Sequence, residues 1–301
     1  FSAAVAACTA SPSWIPPFYR VLKVTNPPMT GADVNVTQHL VVRDAAVGAG
    51  ALTMSGVYDF NTMDAVQSFQ TAHGLTADGQ VGMETSALLL KLHTADGYVD
   101  DGKPASDLGY MYKMHVPVHQ NRSIQTKGTL YSANNTVLFE FVVRAHGYDR
   151  FGSNTWPTFN SSGPGLNQFA PDGDTPTGLM TFDLNSPEPI PKLYGPYPIN
   201  RAVLGLKGNA AFSMPHIRNG ILMHTGEWPG WSPPAPMPNS AGCIHAWPAS
   251  IERVWKLLVA QGVQVRKNPF GVLPYPYKPQ GLLSVELVTG DKYVWKGGDA
   301  L

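Results

Sequence analysis

Cys243 is one of two cysteines in a 301-residue chain and lies in Ser240-Ala241-Gly242-Cys243-Ile244-His245, behind a proline-rich stretch. Upstream, Ile221-Leu222-Met223-His224-Thr225-Gly226 reads as an apolar strand that ends on a histidine and opens into a turn. Only the thiolate is a strong nucleophile, and a thiol of pKa about 8.5 needs a neighbouring imidazole or helix amino end to reach that form near neutrality. His224 is the candidate base, and Gly242 lets a main-chain amide come close to a bound carbonyl. The plain alternative makes Cys243 a small buried hydrophobe and His224 a satisfied core residue. A second alternative makes Cys243, His245, His224 and His216 zinc ligands. They lack the spacing of a structural zinc motif, so no metal site is assigned.

Such a pair needs a scaffold, and the length favours two domains. Hydrophobic residues make up 43% and charged residues 14%, which supports packed cores and argues against wholesale disorder. Twenty-one basic residues balance 21 acidic ones, so no global field draws in nucleic acid. No unbroken apolar run is long enough to span a bilayer. Ser2 to Cys8 resembles the remainder of a processed export signal, and Val5-Ala6-Ala7-Cys8 a lipid-acceptor site. Sequons at Asn35, Asn121, Asn134 and Asn160 permit glycosylation in a eukaryotic secretory pathway.

Residues 1–17 read as an extended lead-in and 18–95 as a three-helix bundle. Val34, Leu40 and Val41 fall at helical intervals, Asn61 stands as a cap before Met63, Val66 and Phe69, and a third helix runs through Thr85, Leu88, Leu89 and Leu92. Residues 96–107 read as a linker. Beyond it the pattern turns to β-type runs at 108–118, 123–131, 137–145 and 179–184, followed by one helix over 251–262 capped by Ser250. This domain is expected over 108–280, mainly β with one packed helix, leaving 281–301 as a C-terminal strand or tail.

Two resemblances then attach to particular residues. Pro28 to Val34 with Gln38 and Leu40, Gly56-x-Tyr58, Thr62-x-x-Ala65-Val66-x-x-Phe69-Gln70, Gly74-Leu75 and Asp78-Gly79-x-Val81-Gly82-x-x-Thr85 resemble the peptidoglycan-binding domain of cell-wall hydrolases. Individually these residues read as core (Val66, Phe69, Leu75) and turns (Gly79, Gly82). Asp174-Thr175-Pro176-Thr177-Gly178, His224-x-Gly226 and Ser240-x-Gly242-Cys243-Ile244 resemble the catalytic domain of L,D-transpeptidases, the YkuD-type fold.

The second resemblance implies that Cys243 attacks a stem-peptide carbonyl to form a thioester, with His224 as base and the main chain of Thr225 orienting its ring. Amides around Gly242 and Cys243 would hold the oxyanion, and an amine or water would resolve the intermediate. It implies no metal or cofactor, peptidoglycan or a related wall polymer as partner, and a secreted, periplasmic or wall-associated location. Ser240, His245, Trp228, Trp231 and His216 are the candidate substrate-binding residues. The loop Trp228 to Pro238 between base and nucleophile is a candidate lid. Ala241 and His245 depart from the family, where a polar residue and Arg or Asn are usual. A titrating His245 in place of a guanidinium would make binding pH-dependent. The alternative function is a wall- or matrix-binding structural protein that keeps the fold without turnover.

Overall fold

The computed structural model describes residues 14–48, 50, 52–147 and 167–297. The expectations at Cys8 and the export-like segment and the sequon at Asn160 lie outside them. The chain divides into two compact units, residues 1–93 and 94–301.

The first unit contains β1 (Met29–Thr30), α1 (Ala32–Val41), β2 (Val57–Tyr58), α2 (Phe60–Ala72) and α3 (Met83–His93). The three helices appear where the apolar spacing placed them, but β1 and β2 pair antiparallel, so the unit is not a pure three-helix bundle. Val34, Leu40, Val66, Phe69 and Leu89 are fully buried, whereas Leu75 is half-buried. Asp59, not Asn61, caps α2, with its carboxylate accepting from the Thr62 amide at 2.8 Å. The polar residues of the first resemblance are structural clips. Gln38 donates to Thr62 Oγ1 (2.9 Å) and to the Val57 carbonyl (3.0 Å). Gln70 accepts from the Gly79 amide (2.9 Å) and donates to Thr85 Oγ1 (3.1 Å). Each buried amide holds a loop by satisfying main-chain groups that water cannot reach.

The second unit is a closed eight-stranded barrel in the order β10-β3-β4-β5-β9-β8-β7-β6. Its elements are β3 (Tyr112–Val118), β4 (Thr126–Ser132), β5 (Val137–Arg144), β6 (Gly178–Asn185), α4 (Pro191–Tyr194), β7 (Ile199–Lys207), α5 (Ala210–Ser213), β8 (Leu222–His224), β9 (Ile244–Ala246), α6 (Pro248–Ala260) and β10 (Gly281–Leu287). Strand β10 lies between β3 and β6 and closes the sheet. The segment 281–301 thus begins with a strand, as one of its two expected forms, but that strand belongs to the barrel and not to a separate segment, because Leu282, Leu283 and Val285 bury in it. The expected linker 96–107 is also bonded to this unit: Asp96 accepts from the Asn209 amide at 2.6 Å, and Lys113 pairs with Asp100 at 2.9 Å. Helix α6 packs Ile251, Val254 and Leu258 onto the barrel core. Its cap is Trp247, followed by Pro248 at the first helical position, and not Ser250. Strand β5 is buried only in its second half.

Candidate functional site

The short strands β8 and β9 run parallel, with Met223 beside Ile244 and His224 beside His245. Met223 and Ile244 point into the barrel core. Side chains alternate between the faces of a strand, so Leu222 and His224 on β8, with His245 on β9 and Cys243 just before it, share the outer face. Cys243 and His224 thus stand diagonally to one another across the adjacent strands, His224 being beside His245. His224, Cys243, Ser240, Ala241, His245, Leu193 and Tyr194 line one cavity of about 190 Å³.

The imidazole of His224 is fixed by its own chain. Nδ1 lies 2.6 Å from the Thr225 carbonyl, an acceptor only, so Nδ1 carries the proton and Nε2 keeps its lone pair. Burial lowers the His224 pKa to about 4, against the opposing pull of the Thr225 carbonyl. Burial likewise raises the Cys243 thiol to about 11, although a hydrogen bond from the Leu222 main chain and the charges of Arg218 and Arg201 work the other way. Both groups are neutral at rest, and the thiol donates to the Gly220 carbonyl at 3.5 Å.

The turn that presents Cys243 is built by Ser240. Its hydroxyl accepts from the Gly242 amide at 3.0 Å and donates to the Cys243 carbonyl at 2.6 Å. Two expectations change. Ser240 lines the cavity, but its hydroxyl is committed to the turn, and the Gly242 amide expected at an oxyanion is engaged by that hydroxyl. Gly242 is required for another reason: its φ is +96°, and a Cβ there would sit 2.0 Å from Nη2 of Arg218.

Arg218 was not singled out from the sequence, where a lone arginine before Asn219-Gly220 has no distinguishing pattern. It is almost wholly buried, and its guanidinium donates to the carbonyls of Gln168, Gly173, Asp174 and Ala241. It ties the Asp174 segment to the Cys243 turn. Thr175 adds a second tie, donating from Oγ1 to the Gly242 carbonyl at 2.8 Å. The Asp174 to Gly178 segment is therefore a buried support of the Cys243 turn. Tyr194 was also missed. It belongs to the four-residue α4, too short to show a period, and its ring lies 5.0 Å from that of His224.

The remaining sequence candidates are placed differently. His245 lines the cavity and its ring stacks edge-on with His224 at 4.7 Å. Burial, His224 and Arg144 push its pKa well down, so it stays neutral through physiological pH and is not the expected titrating contact. Trp228 is buried against the His245 ring at 4.5 Å, and Trp231 packs on Trp228 at 5.0 Å while donating to the Ala235 and Pro236 carbonyls. Neither lines the cavity, and this loop forms a cluster with Val142, Met237 and Trp247. His216 is exposed and is not a lining residue of the cavity. Cys243, His224, His245 and His216 do not come together as a metal-ligand group among the described residues.

Residues 45–89 match the family model described as a putative peptidoglycan binding domain. The match takes in α2 and most of α3, so the first unit carries a peptidoglycan-binding-type domain. No curated protein matches the sequence. Among solved structures, an L,D-transpeptidase (Yku) from Stackebrandtia nassauensis is similar at 14% identity and a TM-score of 0.30, covering 86% of this chain and 92% of that one. A fused Zn-dependent amidase/peptidase/peptidoglycan-binding domain-containing protein from Clostridium acetobutylicum is similar at 14% identity and a TM-score of 0.24, covering 88% and 99%. No helix among the described residues is long and apolar enough to cross a membrane.

Proposed function

We propose that the chain is a cysteine acyltransferase acting outside the cytoplasm on peptidoglycan stem peptides, an L,D-transpeptidase that also accepts water in place of the amine. The observation that carries this reading is the His224 Nδ1 to Thr225 carbonyl bond: it leaves Nε2 unprotonated in a residue that lines the same cavity as Cys243. The peptidoglycan-binding match supports the substrate class.

In the reaction, Cys243 Sγ attacks the carbonyl of the L-centre that precedes a terminal D-residue. Its proton passes to His224 Nε2 as the S–C bond forms. Because both groups are neutral at rest, base and nucleophile act together, without a standing thiolate–imidazolium pair. With the Gly242 amide engaged by Ser240, the Cys243 amide is the donor of that pair for the oxyanion, a contact of a kind worth roughly 10²- to 10³-fold. The tetrahedral centre collapses when the C–N bond breaks and His224 returns the proton to the departing D-residue amine. A stem-peptide amine then attacks the thioester, giving its proton to His224, which passes it to the leaving sulfur.

A second reading, a wall-binding protein that keeps the fold without turnover, is favoured by one observation, the burial of Cys243 at 8% exposure with its thiol raised to about 11. The two readings separate on incubation with a carbapenem. A stoichiometric mass adduct that is lost in Cys243→Ala supports the enzyme, and an unmodified folded protein supports the binder.

A further inference from the structure

The first unit gathers three metal-ligating side chains that the proposed reaction does not use. Asp44 lies in the turn after α1, His73 caps the carboxyl end of α2, and His93 is the last residue of α3. Nε2 of His73 is 2.7 Å, and Nε2 of His93 is 3.3 Å, from the same Asp44 oxygen, Oδ2. Among the described residues this trio has all its ligand atoms within 4.8 Å of one another. We propose that Asp44, His73 and His93 bind one divalent transition metal of the zinc class, clasping the ends of the three helices at a single point.

The distances fit that class. Zinc bonds of roughly 2.0 to 2.2 Å in tetrahedral geometry set neighbouring ligand atoms roughly 3.3 to 3.5 Å apart. The His93 to Asp44 spacing has that length already, and the His73 to Asp44 spacing needs to open by a few tenths of an ångström. Two imidazoles with one carboxylate select zinc or cobalt over calcium or magnesium, which prefer all-oxygen shells. The ligands are also held in place. Asp44 Oδ1 accepts from the Ala46 amide at 2.9 Å, which leaves Oδ2 turned toward the histidines. Phe69 packs against both rings, at 4.6 Å from His73 and 5.7 Å from His93.

An ion pair between His73 and Asp44 alone would account for the 2.7 Å contact. It leaves His93 Nε2 buried without a hydrogen bond, and a metal satisfies all three groups. Arg43, held on the His93 carbonyl, is the nearby positive charge that opposes the cation. Three protein ligands leave a fourth position for water.

The test is calorimetric titration of zinc chloride into the full-length, chelator-stripped protein, with magnesium chloride in parallel. The expected result is one zinc per chain, no magnesium binding, and a raised melting temperature for the zinc-loaded protein. His93→Gln should weaken zinc by more than the ~10- to 100-fold typical of an outer-shell partner, and Cys243→Ser should leave it unchanged. Should a variant fail to fold, cobalt(II) on the wild type decides the matter. Intense tetrahedral visible bands displaced by zinc support the site, and weak octahedral bands overturn it. Sub-stoichiometric zinc in the wild type, binding unaltered in His93→Gln, or binding lost in Cys243→Ser would also overturn it.

Discussion

The rings of His224 and His245 meet edge to face, with centroids 4.7 Å apart and planes at 79°, because the two residues are side by side on the parallel strands β8 and β9. Each donates its Nδ1 proton to a main-chain carbonyl, Thr225 at 2.6 Å and Pro238 at 2.8 Å. The bond at His224 leaves its Nε2 without a proton, in a residue that lines the cavity with Cys243. The bond at His245 holds its ring between His224 and Trp228.

Asparagine keeps the Nδ1-type donor of a histidine and removes the basic Nε2. His224→Asn should fold with the wild-type melting temperature and lose about 10²- to 10⁴-fold in the rate of Cys243 acylation. His245→Asn should alter substrate binding more than that rate. Stopped-flow acylation with a carbapenem, beside a thermal melt, checks both. An equal rate loss in the two variants would contradict the division of roles.

The pH profile follows from the resting charges. Burial lowers His224 to about 4 and raises Cys243 to about 11. The neutral pair that starts the reaction is therefore the dominant form from about pH 5 to 10. Acylation by a non-titrating electrophile should be flat over that range, fall below it as His224 gains a proton, and show no step near pH 6.5. A bell centred near neutrality would point to a preformed thiolate–imidazolium pair.

Acid should destabilise the second unit before its carboxylates protonate. Burial holds His146 and His224 at about 4 in the folded state, against an ordinary value of about 6.5 in the unfolded chain. The unfolded state therefore binds more protons between these values. The contribution is fully present above about pH 6.5 and is lost as pH falls toward 4, on the order of 3 kcal/mol for each histidine. Urea unfolding at a series of pH values measures that slope, and stability independent of pH over this window would refute it.

The support of the Cys243 turn is tested at Arg218 and Gly242. Arg218→Met leaves the Gln168, Gly173, Asp174 and Ala241 carbonyls without their donor. A loss of roughly 3 to 5 kcal/mol follows, with acylation failing along with the turn. Gly242→Ala meets both a φ of +96° and the Arg218 guanidinium and should be comparably severe. Chemical denaturation of the two variants is the check, and a change under 1 kcal/mol in either would contradict the turn's dependence on them.

The sequence singled out Cys243 and His224, which the fold places on one cavity, because both stand in short motifs, and it showed the three amino-terminal helices because their apolar spacing is regular. It hid what depends on pairing across long separations. Strands β8 and β9 have three residues each, too few for an alternation to register. Strand β10 was left outside the domain because its partners β3 and β6 lie far away in sequence. Arg218 looks like any surface arginine until four carbonyls surround it. The tryptophans of the Trp228 to Pro238 loop were read toward substrate because an aromatic, proline-rich stretch looks the same whether it faces a cleft or packs on itself.

The most direct test is the intact mass of the reduced protein after incubation with a carbapenem. The account predicts one adduct per chain, located on Cys243, absent in Cys243→Ala and formed at least ~10²-fold more slowly in His224→Asn. A folded protein that remains unmodified, or one that is modified equally fast without the His224 base, would contradict it.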